Sequence, residues 1–160
     1  MVGDMKERYF LRIDGIEGES TDDRHAREID VSTWSWGAAA ASGSTSSGRV
    51  GKATLQDLRI VKRIDVATPK LIESCVTGKH LPRAVLAGVR WSGDGDADEF
   101  LRDELEDVTV TSVDHADADT EPVEQISLAY RSFEITYTPQ SPTGGAGTPV
   151  SFKWDVKKQI

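Results

Sequence analysis

Apolar and polar residues alternate with a period of two along most of the chain. This pattern predicts β-strands, because successive side chains of a strand point to opposite faces. The final segment alternates strictly through Val150, Phe152, Trp154 and Val156. Similar alternation runs through YFLRIDGI, ATLQDLRIVKRID, AVLAGVRW, FLRDELEDVTVTSV and EQISLAYRSFEITYTPQ. So many strands in a chain of 160 residues predict a mainly β protein, folded as a barrel or a sandwich.

Two of these segments change parity partway along. The apolar positions of FLRDELEDVTVTSV shift between Leu105 and Val108, and those of EQISLAYRSFEITYTPQ shift between Tyr130 and Phe133. A parity change inside a strand predicts a bulge or bend, which the corners of a barrel require. We therefore expect a two-sheeted β-barrel.

The stretch EIDVSTWSWG carries large apolar residues on both parities. If it is one extended strand, Ile29 and Val31 point to one face while Trp34 and Trp36 point to the other, and something outside the barrel must cover the second face. The alternative is a bulge between Val31 and Trp34, which would place both tryptophans in the barrel core or under the helix. The sequence leaves both open.

One segment, DVATPKLIESCVTGKH, has helical signals. Thr68 suits an N-cap, Pro69 the first helical position and Gly78 the stop, so we expect one short α-helix over about residues 68–77. The apolar side expected to pack over the barrel consists of Leu71, Ile72, Cys75 and Val76. Cys75, the only cysteine, is expected to be a core thiol, and an intrachain disulfide is excluded.

Residues 37–53, GAAAASGSTSSGRVGKA, form a low-complexity stretch typical of a linker. Only 36 residues precede it, too few to fold alone, so we expect a long extended loop inside a single domain spanning residues 1–160. GSTSSGRV within it imitates a phosphate-binding loop. Arg49 and Val50 replace the lysine and the hydroxyl residue of that motif, and a strand pattern follows instead of a helix. The phosphate-loop interpretation is therefore rejected.

The formal net charge is -8, and the basic residues are scattered among acidic ones, which argues against nucleic acid as a partner. No window approaches the roughly 18 apolar residues of a spanning helix, so membrane insertion is not expected. The start, MVGDMKERYF, carries charges and lacks an apolar run. We therefore expect no signal peptide.

The sequence offers no recognisable catalytic set. The three histidines lie in separate segments, no nucleophile elbow occurs, and metal-ligand spacing is absent. DGDADEF resembles a calcium loop but has Glu99 and Leu105 where that loop needs Gly and Glu. We expect no enzyme activity, cofactor or metal. Two rivals remain: a small-ligand-binding barrel, and a hydrolase using carboxylates such as Asp94, Asp98 and Glu121.

Three stretches in order resemble the tube protein of bacterial type VI secretion, the haemolysin-coregulated protein family. They are FLRIDGIEGESTDDRHAREIDVSTWSWG, LQDLRIVKRIDVATPKLIESCVTGKHLPRAVL, and FEITYTPQ followed by VSFKWDVKKQI. The resemblance implies a structural subunit of six-membered rings that stack into a tube and hold small effector proteins in the pore. It implies partners in the sheath, baseplate and spike of the apparatus, and assembly in the bacterial cytoplasm followed by secretion without a signal peptide.

In such an assembly, a flexible loop that orders on contact suits ring stacking, because the ordering entropy keeps each contact weak. Neighbouring subunits would also cover strand faces that are apolar on both parities. The residues expected at the ring and tube interface are Trp34, Trp36, Ala40, Ser42, Gly43, Ser44, Ser47 and Arg49.

Overall fold

The computed structural model describes residues 6–40, 53–91, 97–117, 121–142 and 145–160. Its strands are β1 (Lys6–Ile13), β2 (Ile29–Val31), β3 (Thr33–Ser35), β4 (Ala38–Ala39), β5 (Thr54–Leu55), β6 (Leu58–Arg63), β7 (Leu81–Trp91), β8 (Ala97–Asp117), β9 (Pro122–Tyr137) and β10 (Val150–Asp155). A helix, α1 (Thr68–Thr77), lies between β6 and β7. The predicted mainly β class with one short helix is confirmed.

The strands form a nearly closed antiparallel barrel. The sheet order is β2-β1-β7-β8-β9-β6-β3, with β10 added beside β9 and with β4 and β5 forming a small second sheet. The two edge strands, β2 and β3, are consecutive in the chain and are separated by Ser32, whose amide donates to the Val61 carbonyl at 2.8 Å. The segment 29–35 therefore lines both edges of the sheet.

The two long strands are shared between different parts of the sheet. The first half of β9 pairs with β6, from Val123 opposite Arg63, and its second half pairs with β10, up to Tyr137 opposite Val150. In β8, Asp107 has a φ of 51°, and the ladder to β9 shifts register further along the strand. The irregularity at Asp107 confirms the bend predicted between Leu105 and Val108, because it lets inward side chains continue on the same face.

The barrel interior is filled by one apolar cluster. Leu11, Leu58, Leu86, Leu105, Ile126 and Leu128 are among its fully buried members. Ile29 belongs to the same cluster, and Val31, Trp34 and Trp36 are partly buried side chains packed against it. Because the strand is interrupted at Ser32, all four side chains pack against one core. The prediction that Ile29 and Val31 face one side while Trp34 and Trp36 face the other is therefore wrong within this chain.

A second buried strip lies on the outer side of β1 and β7. Phe10 is opposite Ala87 in the ladder, and both are buried together with Val85 and Val89, yet none belongs to the barrel cluster. The connection between β1 and β2 covers this strip, and its His25 ring stacks on Phe10 with centroids 4.4 Å apart. The chain therefore supplies the cover for a strand pair that is apolar on both faces.

The helix occupies the predicted residues, but its N-cap is Ala67, without a side-chain cap, rather than Thr68. The Thr68 hydroxyl instead accepts a hydrogen bond from the Asp65 amide at 3.0 Å. At the other end, Gly78 adopts a left-handed φ of 66° as the predicted stop.

The buried face of α1 differs from the predicted one. Leu71 and Ser74 are buried and Cys75 is partly buried against the core, whereas Ile72 and Val76 are exposed. The reason is that the helix begins on a buried polar contact, Thr68 to Glu124, and positions three and six residues after Thr68 face the same side. The spacing of hydrophobic residues could not predict this contact between Thr68 and Glu124.

Candidate assembly surface

Tyr130 joins both legs of the β4–β5 hairpin. The indole N–H of Trp36, just before β4, donates to the Tyr130 hydroxyl oxygen at 2.5 Å. The Tyr130 hydroxyl in turn donates to the backbone carbonyl of Gln56, just after β5, at 2.7 Å. The Gln56 amide closes the hairpin base by donating to the Gly37 carbonyl at 2.9 Å. One side chain of β9 therefore holds both ends of the segment predicted as a long loop.

Aromatic packing supports this base. Phe133 meets the Trp36 ring edge-on at 5.1 Å and the Tyr130 ring edge-on at 5.9 Å. Trp34 packs elsewhere, edge-on against Tyr9 at 5.7 Å. The structure therefore places the two tryptophans on the same core but against different partners.

Of the other residues expected at the interface, Ala40 is exposed directly after β4. Ser42, Gly43, Ser44, Ser47 and Arg49 lie outside the described residues, as does the GSTSSGRV stretch. The elements that follow this stretch, β5 and β6, are strands, as expected when the phosphate-loop interpretation was rejected.

A carboxyl group is buried near this hairpin base, and the sequence analysis did not find it. Asp103 is 2 % exposed, on the inner face of β8 between Leu101 and Leu105, and its Oδ1 has no hydrogen-bond partner among the described residues. Burial raises the pKa of Asp103 to about 6. The signal was available, because an acidic residue at an apolar parity position of a predicted strand is unusual.

The pKa of the Tyr130 hydroxyl is raised to about 12, chiefly by burial. The negative charges of Asp103 and Asp57 act in the same direction, while the hydrogen bond from Trp36 opposes them. The hydroxyl therefore keeps its proton, and with it the hydrogen bond to Gln56, throughout the neutral pH range.

A buried ionic network joins the end of the barrel to the helix. The ammonium group of Lys62 lies 2.5 Å from Glu124 Oε1 and 2.8 Å from Asp65 Oδ1, with the Lys62 and Glu124 side chains fully buried. His115 Nε2 is 2.6 Å from Glu124 Oε2, and Thr68 donates to Oε1 at 3.2 Å. The network ties β6, β8 and β9 to the start of α1.

The exposed large apolar side chains of the described residues fall into two groups. The helix-side surface consists of Ile64, Val66, Ile72 and Val76. The β10-side surface consists of Tyr137, Val150, Phe152 and Ile160. Ile64 follows the Arg63–Val123 pair at one end of β9, and Val150 pairs with Tyr137 at the other. The first group therefore belongs to α1 and the segment before it, and the second to β10 and the residues beside it.

The carboxylates named for a hydrolase are not brought together where they are described. Asp98 pairs with Arg90 near the start of β8, whereas the half-buried Glu121 forms an ion pair with Arg63 beyond the other end of that strand. Asp94 lies outside the described residues. Within the described part of the chain, each histidine contacts a single carboxylate: His25 with Glu28, His80 with Asp107 and His115 with Glu124.

Over the described ranges, no three or more His, Cys, Asp or Glu side chains are grouped as a metal ion would require. In the same ranges, α1 is too short and too polar to qualify as a membrane-spanning helix, and no other helix qualifies.

The fold defines the chain as a nearly closed antiparallel β-barrel with one short helix, and comparisons with known proteins identify its family. The family described as "Type VI secretion system effector, Hcp" matches residues 10–137. The chain is 37% identical over 156 residues to the protein hcp1 of Pseudomonas aeruginosa, covering 94% of this chain and 96% of that one. The chain belongs to the Hcp family, a family of secreted type VI tube proteins rather than a known enzyme family.

Solved structures agree with this assignment. The structure of a type six secretion system protein is similar with a TM-score of 0.86 and 28% identity, covering 97% of this chain and 99% of that one. Hcp1 from Salmonella typhimurium is similar with a TM-score of 0.77 and 28% identity, covering 98% and 99%. The resemblance noted in the sequence is therefore confirmed at the level of family and fold.

Proposed function

We propose that the chain is the subunit of a six-membered ring with a central pore, and that rings stack into the inner tube of a type VI secretion apparatus. The pore would carry small effector proteins, and the tube would work with the sheath, baseplate and spike. The protein would assemble in the bacterial cytoplasm and then be secreted without a signal peptide. The number six follows from the resemblance to the tube protein family.

The observation that supports a ring is the presence of two separate groups of exposed apolar side chains, one on α1 and the segment before it and one on β10 with Tyr137 and Ile160. Exposed large apolar side chains that cluster indicate a binding surface. When each copy uses one surface to bind the other surface of the next copy, the contact is head-to-tail, and a head-to-tail contact closes into a ring when its rotation allows. We assign the ring contact to the helix-side surface of one copy and the β10-side surface of its neighbour.

The segment between β4 and β5 is proposed to make the ring-on-ring contact, through Ala40, Ser42, Gly43, Ser44, Ser47 and Arg49. Trp34 and Trp36 are proposed to support the same interface from the core side. Weak contacts repeated around each ring give a tube that assembles and also comes apart.

Light scattering tests the ring, and electron microscopy tests the tube. A mass six times 17.5 kDa supports the proposal, while a monomer at every concentration contradicts it and favours a small-ligand-binding barrel. Deleting residues 40–47 should abolish tube growth and leave rings intact. Tubes of normal length from the deletion variant would contradict the stacking role of this segment.

A further inference from the structure

The helix α1 exposes two apolar side chains that its own sequence could bury. Ile72 and Val76 are exposed, whereas Ser74, a polar residue that lies between them in the sequence, is only 4% exposed. A helix oriented by its apolar residues alone would show the opposite, because burial of apolar groups is favourable and burial of a hydroxyl group is costly. Another contact must therefore set the rotation of α1 about its own axis.

The difference between the two rotations follows from helix geometry. Successive residues of an α-helix are turned by about 100°, so the apolar side predicted from the sequence is centred about 70° away from the side that is buried. The buried side consists of Thr68, Leu71 and Ser74. Leu71 belongs to both sides, so α1 could turn from one packing to the other while this side chain stays in the core.

The buried ionic network at the end of the barrel supplies the contact that holds α1. The Thr68 hydroxyl donates to Glu124 Oε1 at 3.2 Å and accepts from the Asp65 amide at 3.0 Å. Asp65 Oδ1 accepts from the Ala67 amide at 2.9 Å and lies 2.8 Å from the Lys62 ammonium group. The first turn of α1 is therefore tied to the barrel at Thr68 and also at the residues just before it.

Glu124 favours the observed rotation because its carboxylate is buried. The side chain has no solvent exposure, its Oε1 is bound by Lys62 and Thr68, and its Oε2 lies 2.6 Å from His115 Nε2. A buried carboxylate that loses a donor retains the cost of its desolvation, so a rotation that moves Thr68 away is opposed. The ionic network and the apolar side of α1 thus favour different rotations, and α1 adopts the one that the network favours.

We propose that Glu124 is a positioning residue for the ring contact, because its hold on Thr68 keeps α1 in the rotation that leaves Ile72 and Val76 exposed to the neighbouring copy. This inference rests on the proposed function, in which the helix-side surface of one copy binds the β10-side surface of the next. Without the ionic network, α1 turns until these two side chains pack on their own barrel. The subunit then remains folded but lacks one of its two contact surfaces.

The test is the double variant Lys62→Met/Glu124→Leu, which replaces the buried ion pair by two apolar side chains and should fold. In light scattering it should remain monomeric at concentrations where the unchanged protein forms rings. The matched control is Arg63→Met/Glu121→Leu, which removes an ion pair beside the network that does not touch α1 and should form rings normally.

A thiol probe measures the rotation of α1 separately from assembly. Val76→Cys in a Cys75→Ala background places the only thiol of the chain at an exposed position. Phe152→Asp is added to every protein compared, so that all are measured as monomers. Lys62→Met/Glu124→Leu should slow the reaction of this thiol with an aromatic disulfide reagent about tenfold or more, because burial limits the reaction to local opening.

Thr68→Val is a second variant that keeps the Lys62–Glu124 pair and removes only the hydroxyl that ties α1 to it. It should fold, slow the thiol reaction and weaken ring formation in the same direction as the double variant. If the double variant does not fold, Thr68→Val decides the question. Normal rings together with an unchanged thiol rate in the folded variant overturn the positioning role, and so does a loss of rings without any change in the thiol rate.

Val76→Asp separates this inference from the proposed function. If Val76→Asp abolishes rings and Lys62→Met/Glu124→Leu does not, only the positioning role is wrong. If Val76→Asp forms normal rings, the helix-side surface is not the ring contact, and the proposed contact fails together with the inference.

Discussion

Lys62 and Glu124 form an ion pair with no solvent exposure on either side chain, with Nζ 2.5 Å from Oε1. The two residues lie opposite each other in the β6–β9 ladder and point into the barrel. Burying two charges is costly, and the cost is offset here by Asp65, Thr68 and His115, which bind the same two groups. The barrel end therefore closes on a polar junction instead of an apolar one.

Removing the cation of this junction should be severely destabilising. Lys62→Met leaves Glu124 buried without its counter-charge and should lower the free energy of unfolding by about 3–5 kcal/mol. Denaturant unfolding measures the change. Arg63→Met is the control, because the next residue along β6 makes an exposed pair with Glu121 that should contribute less than about 1 kcal/mol.

Combining Lys62→Met with Glu124→Leu should recover much of the loss, since two well-packed apolar side chains avoid the uncompensated charge. A Lys62→Met protein as stable as Arg63→Met would show that the pair does not matter to the fold.

The buried carboxyl of Asp103 should make the protein less stable as the pH rises. Burial raises its pKa in the folded state from 3.8 to about 6, so the folded state binds this proton more tightly than the unfolded chain does. The contribution of Asp103 to the free energy of unfolding is fully present below about pH 4. It decreases as the pH rises through about 6 and stays low above that. The free energy of unfolding therefore falls by up to about 3 kcal/mol across this range.

Asp103→Asn removes this titration and keeps the shape of the side chain. The variant should be more stable than the unchanged protein at pH 8, and its stability should not fall between about pH 4 and 6. Thermal unfolding across this pH range measures both effects. Asp23→Asn, at an exposed position, should leave the pH profile as it was. Identical profiles for Asp103→Asn and the unchanged protein would contradict the prediction.

A side chain at Gly18 should be poorly tolerated. An added Cβ would lie 2.5 Å from the Glu28 carbonyl oxygen and 2.7 Å from Ile29 Cα, both of which are backbone atoms. Gly18→Ala should therefore displace the segment that covers Phe10 and cost about 1–3 kcal/mol of unfolding free energy.

The control for this change is Gly37→Ala, where the Cβ would meet only the Gln56 side-chain amide at 3.3 Å. That side chain can move, so a small change is expected. Equal melting temperatures for both variants would show that the segment has more room than the structure gives it.

The two exposed apolar surfaces predict a complementation experiment. Val76 on the helix-side surface is 78% exposed and Phe152 on the β10-side surface is 55% exposed, so Val76→Asp and Phe152→Asp should fold and yet prevent ring closure. In a head-to-tail contact each variant keeps one intact surface. Mixing the two should therefore give a species of two subunits, measured by light scattering.

The control is Lys153→Asp, an exposed neighbour of Phe152 on the other face of β10, which should still form rings. Rings from Val76→Asp or Phe152→Asp alone would contradict the assignment of the contact. A mixture that stays monomeric would do so as well.

Local patterns predicted the secondary structure well, because alternation and capping are properties of a few adjacent residues. The helix bounds and the stop at Gly78 are confirmed, and so is the predicted bend of β8 at Asp107. The exposure of Ile72 and Val76 was not predicted, because the orientation of α1 depends on Glu124, a residue more than forty positions away.

The sites that the hydrophobic pattern did not reveal are polar side chains at strand positions that face the core. Lys62 continues the inward series of Leu58 and Ile60, and Glu124 precedes Ile126 in the same way. Their opposite charges and matching parity were visible, but the pairing of β6 with β9 was not, so the contact could not be inferred. Tyr130 was missed for the same reason, since its partners Trp36 and Gln56 belong to a distant segment.

The position of β2 and β3 at the two edges of one sheet has a mechanical consequence. Because Ser32 alone separates them, a fluctuation that lifts this short segment uncovers the backbone of β1 and of β6 at the same moment. Both seams of the barrel thus open as one cooperative unit, and amide hydrogen exchange along them should follow a common opening rate. The lifetime of the closed barrel therefore depends on how rarely the segment 29–35 detaches from both edges.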